Sequence, residues 1–432
     1  MRAVAVRPSG SGRYLSAGQA AVRAARLAEL HPGLVAVRQV GRSRGGRPLV
    51  LVSVGRGPRH VLAVGGPHPN EPVGTATALH LAERAVQEPE LRRGGEVTWN
   101  VLLCLDPDGA ALNEGWLGGP LTMERHYRSF YRPALEDQPE WLPTAGSGRA
   151  ALPETAALTA VIDELRPFLQ CSLHGVDVGG TFVQLTGPVP GLAEPFARSA
   201  AAAGLPLERG PYDAFFWPSP GPGLYVMPAA GAKDRFAALA ESSAHSTWSY
   251  VQRHGGVTAV VEVPMWAAPG VADAAPHPDP AGALGEAAGV LLRETEPLAE
   301  LLALARPLLP APEGPLLRSA LWHLSIVPQL ALDWAPEAVA ADVGSLSVLS
   351  GAHLAGVAIQ TARMPVRIAA LLVRLLRDAE GPAAAELRRR AGRLLAARVE
   401  RFRTGFGVRP VPVGEQVAHQ ARAVVAAAGA LL

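Results

Sequence analysis

"HVLAVGGPHPNEPVG", residues 60–74, joins an apolar run to the start of a helical pattern through a proline-flanked turn. The apolar run that ends at the glycine pair predicts a buried strand, and apolar positions recur at helical spacing from Gly74 onward. His68 and Glu71 lie between the two. A turn after a strand allows two side chains to converge, so this pair could reach one metal ion. The alternative is a polar turn without a ligand.

The same spacing occurs a second time, at His80 and Glu83, within the helical pattern. His-x-x-Glu is therefore a weak motif when it stands alone. A solvated helix face is the ordinary explanation of this second pair.

The pattern around residues 60–74 continues as alternating strands and helices. Residues 34–66 contain three β-branched runs, of which the first two resemble a hairpin. Further strand patterns, near residues 97–105, 168–174 and 256–263, alternate with helical segments. This alternation predicts an α/β fold with a mixed, mostly parallel sheet flanked by helices.

Composition changes after the Pro- and Ala-rich segment 264–280, where helical periods rich in Ala, Leu and Arg begin. We predict a catalytic domain over residues 1–311 and a C-terminal α-helical extension over 312–432. Aliphatic stripes in the extension must be buried. Packing within the protein is one explanation. The other is contact with a partner protein or formation of a homo-oligomer through these helices.

Charge and cysteine content exclude several classes of protein. The chain has 432 residues and a formal net charge of +2, without a dominant basic cluster, which argues against nucleic-acid binding. Cys104 and Cys171 lie in apolar runs typical of buried free thiols. The N-terminus lacks a secretory h-region, and residues 343–362 are too polar for a membrane span. We therefore expect a cytoplasmic protein without a membrane partner.

Two further strand ends carry polar groups that suit a metal site. His174 ends the apolar run in "QCSLHG", and Glu262 ends the run in "GVTAVVEVP". Ligands gather at the carboxyl ends of parallel strands. His174 thus becomes a candidate third ligand, and Glu262 becomes a candidate general base whose pKa desolvation would raise.

These motifs resemble the M14 (funnelin) zinc carboxypeptidases, in the same order along the chain. The resemblance covers roughly residues 14–300 and includes "LDPDGAALNEGW", which is similar to the family's Asn-Pro-Asp-Gly turn. It implies a carboxypeptidase-like fold and one zinc ion per chain, held by His68, Glu71 and His174. It also implies hydrolysis of an amide bond in a peptide or small amide substrate, with Glu262 as the base.

The family's Arg-x-x-Arg motif is matched by Arg125 to Arg128. The resemblance implies that Arg128 polarises the scissile carbonyl, while Arg132 nearby is an alternative. Arg125 and Arg132 are candidate substrate-binding residues.

The chain departs from the family at the substrate site. It contains no Asn-Arg dipeptide, the pair that grips a substrate's terminal carboxylate in classical members. A metallocarboxypeptidase is the leading interpretation. An N-acyl amino acid deacylase on the same metal site is the alternative, and a non-catalytic zinc-binding scaffold is a third, against which the retained Glu262 argues.

Overall fold

The computed structural model describes residues 12–144, 148–214, 216–228, 245–310 and 313–432. These residues form a nine-stranded mixed sheet. The strands are β1 Val35–Arg42, β2 Pro48–Val54, β3 Arg59–Gly65, β4 Val97–Leu102, β5 Leu169–Gly179, β6 Phe182–Leu185, β7 Leu224–Val226, β8 Val257–Ala267 and β9 Arg409–Pro410.

The strand order is β1-β2-β4-β3-β5-β8-β6-β7, and β9 pairs with the end of β8. The four central strands, β4, β3, β5 and β8, run parallel. Antiparallel pairings of β1 with β2, β2 with β4, and β6 with β8 flank them. The predicted hairpin and the predicted mixed sheet are thus confirmed, and the parallel strands are concentrated at the centre.

Helices connect and cover the strands. The α-helices are α1 Ala17–Leu30, α2 Val73–Gln87, α3 Pro107–Asn113, α4 Met123–Arg128, α5 Pro153–Leu165, α6 Ala193–Ala202, α7 Thr247–Tyr250, α8 Pro280–Ala305, α9 Pro315–Ser325, α10 Val327–Asp333, α11 Pro336–Val343, α12 Gly351–Leu375, α13 Pro382–Gly405 and α14 Val413–Ala430. Short 3-10 helices lie at Pro89–Gly95, Glu114–Trp116, Leu135–Asp137, Tyr212–Ala214, Val251–His254, Pro269–Ala272, Arg306–Leu308 and Leu346–Val348.

Gly74 permits the first turn of α2 to lie directly against β5. A Cβ atom at this position would come within 2.3 Å of the Leu173 carbonyl oxygen, so only glycine fits without a shift. The close approach brings the turn that carries His68 and Glu71 next to the strand that carries His174. A local requirement for glycine therefore helps to assemble the site.

Both faces of the central sheet are covered by apolar helices. Side chains of α1, α2 and α14 pack on one face, together with Val61 and Leu173. Leu158 and Ile162 of α5 pack on the other face, against Leu49 and Leu62. Cys104 and Cys171 are buried free thiols, as predicted.

The C-terminal helices pack on the strand ends as well as on one another. Val178 of β5 and Trp266 of β8 share a hydrophobic core with α8, α12 and α13. Residues of α14, including Ala421 and Val424, are fully buried against the sheet. Residues 313–432 therefore contact the predicted catalytic domain extensively. The boundary at 311 lies outside the described residues and stays a prediction.

Helix α12, Gly351–Leu375, is long and apolar enough to cross a membrane by length and composition alone. However, 72% of its most apolar window is buried inside the protein. That burial is typical of the core helix of a protein that packs its apolar side chains internally.

Candidate zinc site

Three candidate ligands converge beside the end of β3 and the middle of β5. The prediction that His174 stands at a strand end is wrong, because β5 continues to Gly179. His68 and Glu71 lie in the turn between β3 and α2, and His174 lies on β5. One nitrogen or oxygen atom from each lies within 4.8 Å of the other two, and all three residues are buried. The structure thus brings together the three residues that the sequence motifs single out.

The distances among these groups fit a shared metal ion. His68 Nδ1 lies 3.0 Å from His174 Nδ1 and 3.2 Å from the Glu71 carboxylate. His174 Nδ1 lies 3.2 Å from Glu71 Oε2. A neutral imidazole offers a lone pair and an ionised carboxylate only accepts, so three potential metal donors face one another. Two histidines and a glutamate are also a donor set that catalytic zinc uses.

The protein environment prepares two of these groups for ligation. Burial, assisted by the positive charge of Arg132, lowers the pKa of His68 to about 4, so this imidazole is neutral at pH 7. Burial alone would raise the pKa of Glu71, but His68, His174 and Arg132 outweigh it and keep the carboxyl ionised. Neutral imidazole and ionised carboxylate are the forms that bind a metal.

His174 is oriented by a carboxylate that the sequence motifs did not reveal. His174 Nε2 lies 3.0 Å from Glu140 Oε2 and 3.0 Å from Ser172 Oγ, while Nδ1 faces the other two ligands. Glu140 Oε1 accepts hydrogen bonds from Ser172 Oγ at 2.5 Å and from Trp248 Nε1 at 2.7 Å. Such partners fix the ring orientation of a metal-binding histidine. The only sequence signal was an acidic residue between proline and tryptophan in "QPEWLP".

The carboxylates around His174 also set its protonation. Burial alone would lower the pKa of His174, but Glu140, Glu71 and Glu262 outweigh it and raise the pKa well above the ordinary value. For the same reason the pKa of Glu140 lies below its usual range, although burial acts in the opposite direction. Glu140 and His174 are therefore a closely coupled buried pair.

Glu262 lies beside the three candidate ligands. It pairs in register with His174 on the neighbouring parallel strand, so both side chains leave the same face of the sheet. Glu262 Oε1 lies 3.8 Å from His174 Nδ1, and the side chain is 11% exposed. Its main-chain carbonyl accepts a hydrogen bond of 2.7 Å from Thr181 Oγ1. A largely buried carboxylate thus stands at the edge of the site.

Arg132 is the arginine that contacts the candidate ligands. Its Nη1 donates to Glu71 Oε1 at 2.8 Å, and its Nη2 lies 3.2 Å from His68 Nε2. Arg128, to which the resemblance assigned the oxyanion, is exposed on α4. Arg125 donates to the carbonyl of Trp116 at 3.4 Å. Spacing alone did not distinguish these arginines, whereas their packing does.

The second His-x-x-Glu pair lies apart from this cluster. His80 and Glu83 are in the middle of α2, and Glu83 pairs with Arg23 at 2.6 Å. The structure therefore favours the helix-face explanation for this pair.

Comparisons with known proteins match part of the chain to one family. Residues 23–179 match the model of the zinc carboxypeptidase family, M14. The match includes all three candidate ligands. No curated protein sequence matches the chain.

Several solved structures are similar to part of the chain. A bovine thrombin-activatable fibrinolysis inhibitor, in complex with a tick carboxypeptidase inhibitor, is 11% identical, with a TM-score of 0.37, and the match covers 58% of this chain and 86% of that one. Carboxypeptidase A from Helicoverpa armigera is 16% identical, with a TM-score of 0.40, and the match covers 61% of this chain and 68% of that one. The murein-tripeptide amidase MpaA from Escherichia coli O157 is 17% identical, with a TM-score of 0.29, and the match covers 53% of this chain and 82% of that one.

The family uses zinc, and the described residues include a histidine, glutamate and histidine cluster that could hold one metal ion. The match to the M14 zinc carboxypeptidase family model thus covers the part of the chain that carries these three candidate ligands.

Proposed function

We propose that this protein hydrolyses an amide bond of a peptide or peptide-like substrate, with one zinc ion held by His68, Glu71 and His174. The observation that carries the proposal is the convergence of these three buried donors within 4.8 Å. Zinc bound by such a set lowers the pKa of water and polarises a carbonyl.

Glu262 is the proposed general base. Its carboxylate lies within reach of the metal donors, 3.8 Å from His174 Nδ1, and the side chain is 11% exposed. It accepts a proton from the attacking water and returns that proton to the nitrogen of the leaving amine. A single carboxylate thus serves both steps.

Arg132 is the proposed oxyanion donor. Its guanidinium already reaches the donors, 2.8 Å from Glu71, and it is largely buried, so its positive charge acts in a medium of low dielectric constant. Charge that develops on the scissile carbonyl oxygen is stabilised by such a preorganised donor. Arg128, which is exposed, lacks this placement.

An N-acyl amino acid deacylase on the same metal site is the second candidate. The chain lacks the Asn-Arg dipeptide that holds a terminal carboxylate in classical members, so this motif gives no preference to an exopeptidase over a deacylase. Peptidase and deacylase share the metal chemistry and differ in the released products.

A screen of dipeptides, longer peptides and N-acyl amino acids tests the proposal. The purified protein is assayed as isolated, after treatment with a chelator, and after zinc is restored, and the products are identified by mass spectrometry. We expect hydrolysis that disappears with the chelator and returns with zinc. Protein that holds one zinc per chain and hydrolyses no member of the three classes would contradict the proposal.

A further inference from the structure

The loop that carries Arg132 is held from one side by the catalytic domain. Asn113, at the end of α3, accepts a hydrogen bond of 3.0 Å from the Tyr131 amide and donates one of 2.8 Å to the Tyr131 carbonyl. The amides of Ser129 and Phe130 bond to carbonyls of α4. Every residue from 129 to 131 thus has its amide in a hydrogen bond.

The C-terminal helices hold the same loop from the other side. Ser319 of α9 donates from Oγ to the carbonyl of Arg132 itself, at 2.5 Å, and Ser319 is fully buried. Arg374 of α12 donates from Nη1 to the carbonyls of Ser129, at 2.7 Å, and Phe130, at 3.0 Å. Arg374 is 7% exposed, so both of its bonds are shielded from water. Buried hydrogen bonds of this kind are costly to lose.

Helix α12 is also tied to the strand that carries His174. Asp177, three residues beyond His174 on β5, is fully buried and accepts from Arg363 Nε at 2.6 Å and from Arg367 Nη2 at 3.1 Å. One helix thus binds β5 through two arginines and the Arg132 loop through Arg374. This connection sets the distance between the strand and the loop.

We propose that Ser319 and Arg374 are positioning residues of the active site, which act by holding the backbone that presents Arg132 to the zinc donors. The proposal rests on the proposed function for its catalytic consequence, but the anchoring itself is independent of it. It gives two residues of the segment beyond residue 312 a role in placing Arg132. A displacement of about 1 Å in a catalytic group is enough to lower a rate about a hundredfold.

Hydrogen exchange tests the anchoring without any assay of activity. Ser319→Ala and Arg374→Met each remove a buried donor to the loop. We expect the amides of residues 129–132 to exchange about tenfold faster in each variant, because one buried hydrogen bond is lost. Ser325→Ala and Arg377→Met are matched controls, since Ser325 is the exposed last residue of α9 and Arg377 is exposed two residues beyond the end of α12. They should leave the exchange of the loop unchanged.

Kinetics test the consequence for Arg132. In zinc-loaded protein with its native Arg132, Ser319→Ala and Arg374→Met should each lower kcat about tenfold, with KM little changed, and Arg374→Lys should recover part of the loss. In an Arg132→Met background the same substitutions should have no further effect, because the group they position is gone. Equal losses in both backgrounds would mean a general structural role and would overturn the proposal.

A failure of the proposed function can be distinguished from a failure of the proposed anchoring. If the protein hydrolyses nothing, the proposed function fails while the hydrogen exchange still reports on the anchoring. If exchange at residues 129–132 is unchanged, or rises equally throughout the chain, the anchoring fails whatever the activity. Should Arg374→Met not fold, Ser319→Ala removes a single oxygen atom and decides both measurements.

Discussion

Glu140 contacts the His174 ring on the side opposite the other candidate ligands. Its Oε2 lies 3.0 Å from His174 Nε2, while Nδ1 of the same ring faces His68 and Glu71. The pair is buried, at 1% side-chain exposure for each partner. A carboxylate in this position fixes which nitrogen is free for a metal and increases the basicity of the ligand. The site therefore depends on a residue that itself contacts no metal.

Glu140→Gln should weaken zinc binding by about 10- to 100-fold, because the amide cannot supply the negative charge that orients His174. Titration of zinc against a competing chelator measures the change. Glu136→Gln is the control, since Glu136 is exposed and belongs to the same segment. Equal zinc affinity in the Glu140→Gln variant and the control would remove Glu140 from the account.

Arg132→Met should retain zinc and lower kcat by about 10² to 10³, the usual effect of removing one oxyanion donor. Arg128→Met should change kcat by less than about threefold, because Arg128 is exposed. Steady-state kinetics on both variants, with zinc content measured in parallel, assign the role. A large loss in Arg128→Met alone would return the role to the residue that the motif spacing indicated.

Asp106 predicts a pH dependence of stability outside the metal site. Burial raises the pKa of Asp106 to about 7, although a hydrogen bond from the Gly109 amide and the charge of Arg44 oppose it. The folded protein then keeps a proton that the unfolded chain releases near pH 4. This stabilisation is complete below pH 4 and is lost as pH rises towards 7, with an upper bound of roughly 4 kcal/mol.

Asp106→Asn mimics the protonated carboxyl and should flatten this dependence. Urea unfolding at pH 5 and pH 8 measures it, and we expect the variant to exceed the native protein in stability at pH 8 by more than at pH 5. The same difference at both values of pH would show that Asp106 does not titrate in this range.

A chain that ends at residue 311 tests the predicted domain boundary. Removing α14 would expose a face of the sheet, and Gln420 Nε2 would no longer donate to the carbonyls of His174, at 2.6 Å, and Val261, at 2.9 Å. We expect aggregation and a loss of zinc, measured by gel filtration and metal analysis. A monodisperse fragment with one zinc per chain would support the boundary at 311.

The order of strands, helices and candidate ligands could be predicted because each signal is local. His68 and Glu71 share one turn, and His174 and Glu262 lie in apolar runs, so periodicity and spacing could single them out. The predicted strand ends at His174 and Glu262 are wrong, because β5 and β8 continue to Gly179 and Ala267. The Glu140–His174 contact could not be predicted in this way, since it joins an irregular loop to a strand. Spacing also could not decide whether Arg128 or Arg132 lies at the site. The structure distinguishes them, because Arg132 contacts Glu71 and Arg128 is exposed.

The C-terminal helices are a second case in which the sequence did not predict a contact. An amphipathic stripe indicates that a helix must bury one face, but it does not name the surface that covers it. Here α14 covers the central sheet and α12 covers the strand ends. Helices of the predicted accessory region thus contact the strand and the loop that carry His174 and Arg132.

The most direct test of the central claim compares zinc content and hydrolysis in Glu262→Gln. The claim is that His68, Glu71 and His174 hold zinc while Glu262 carries the proton. We therefore predict one zinc per chain, an unchanged fold and a loss of hydrolysis by about 10² to 10⁴. Near-native turnover with zinc bound would contradict the account.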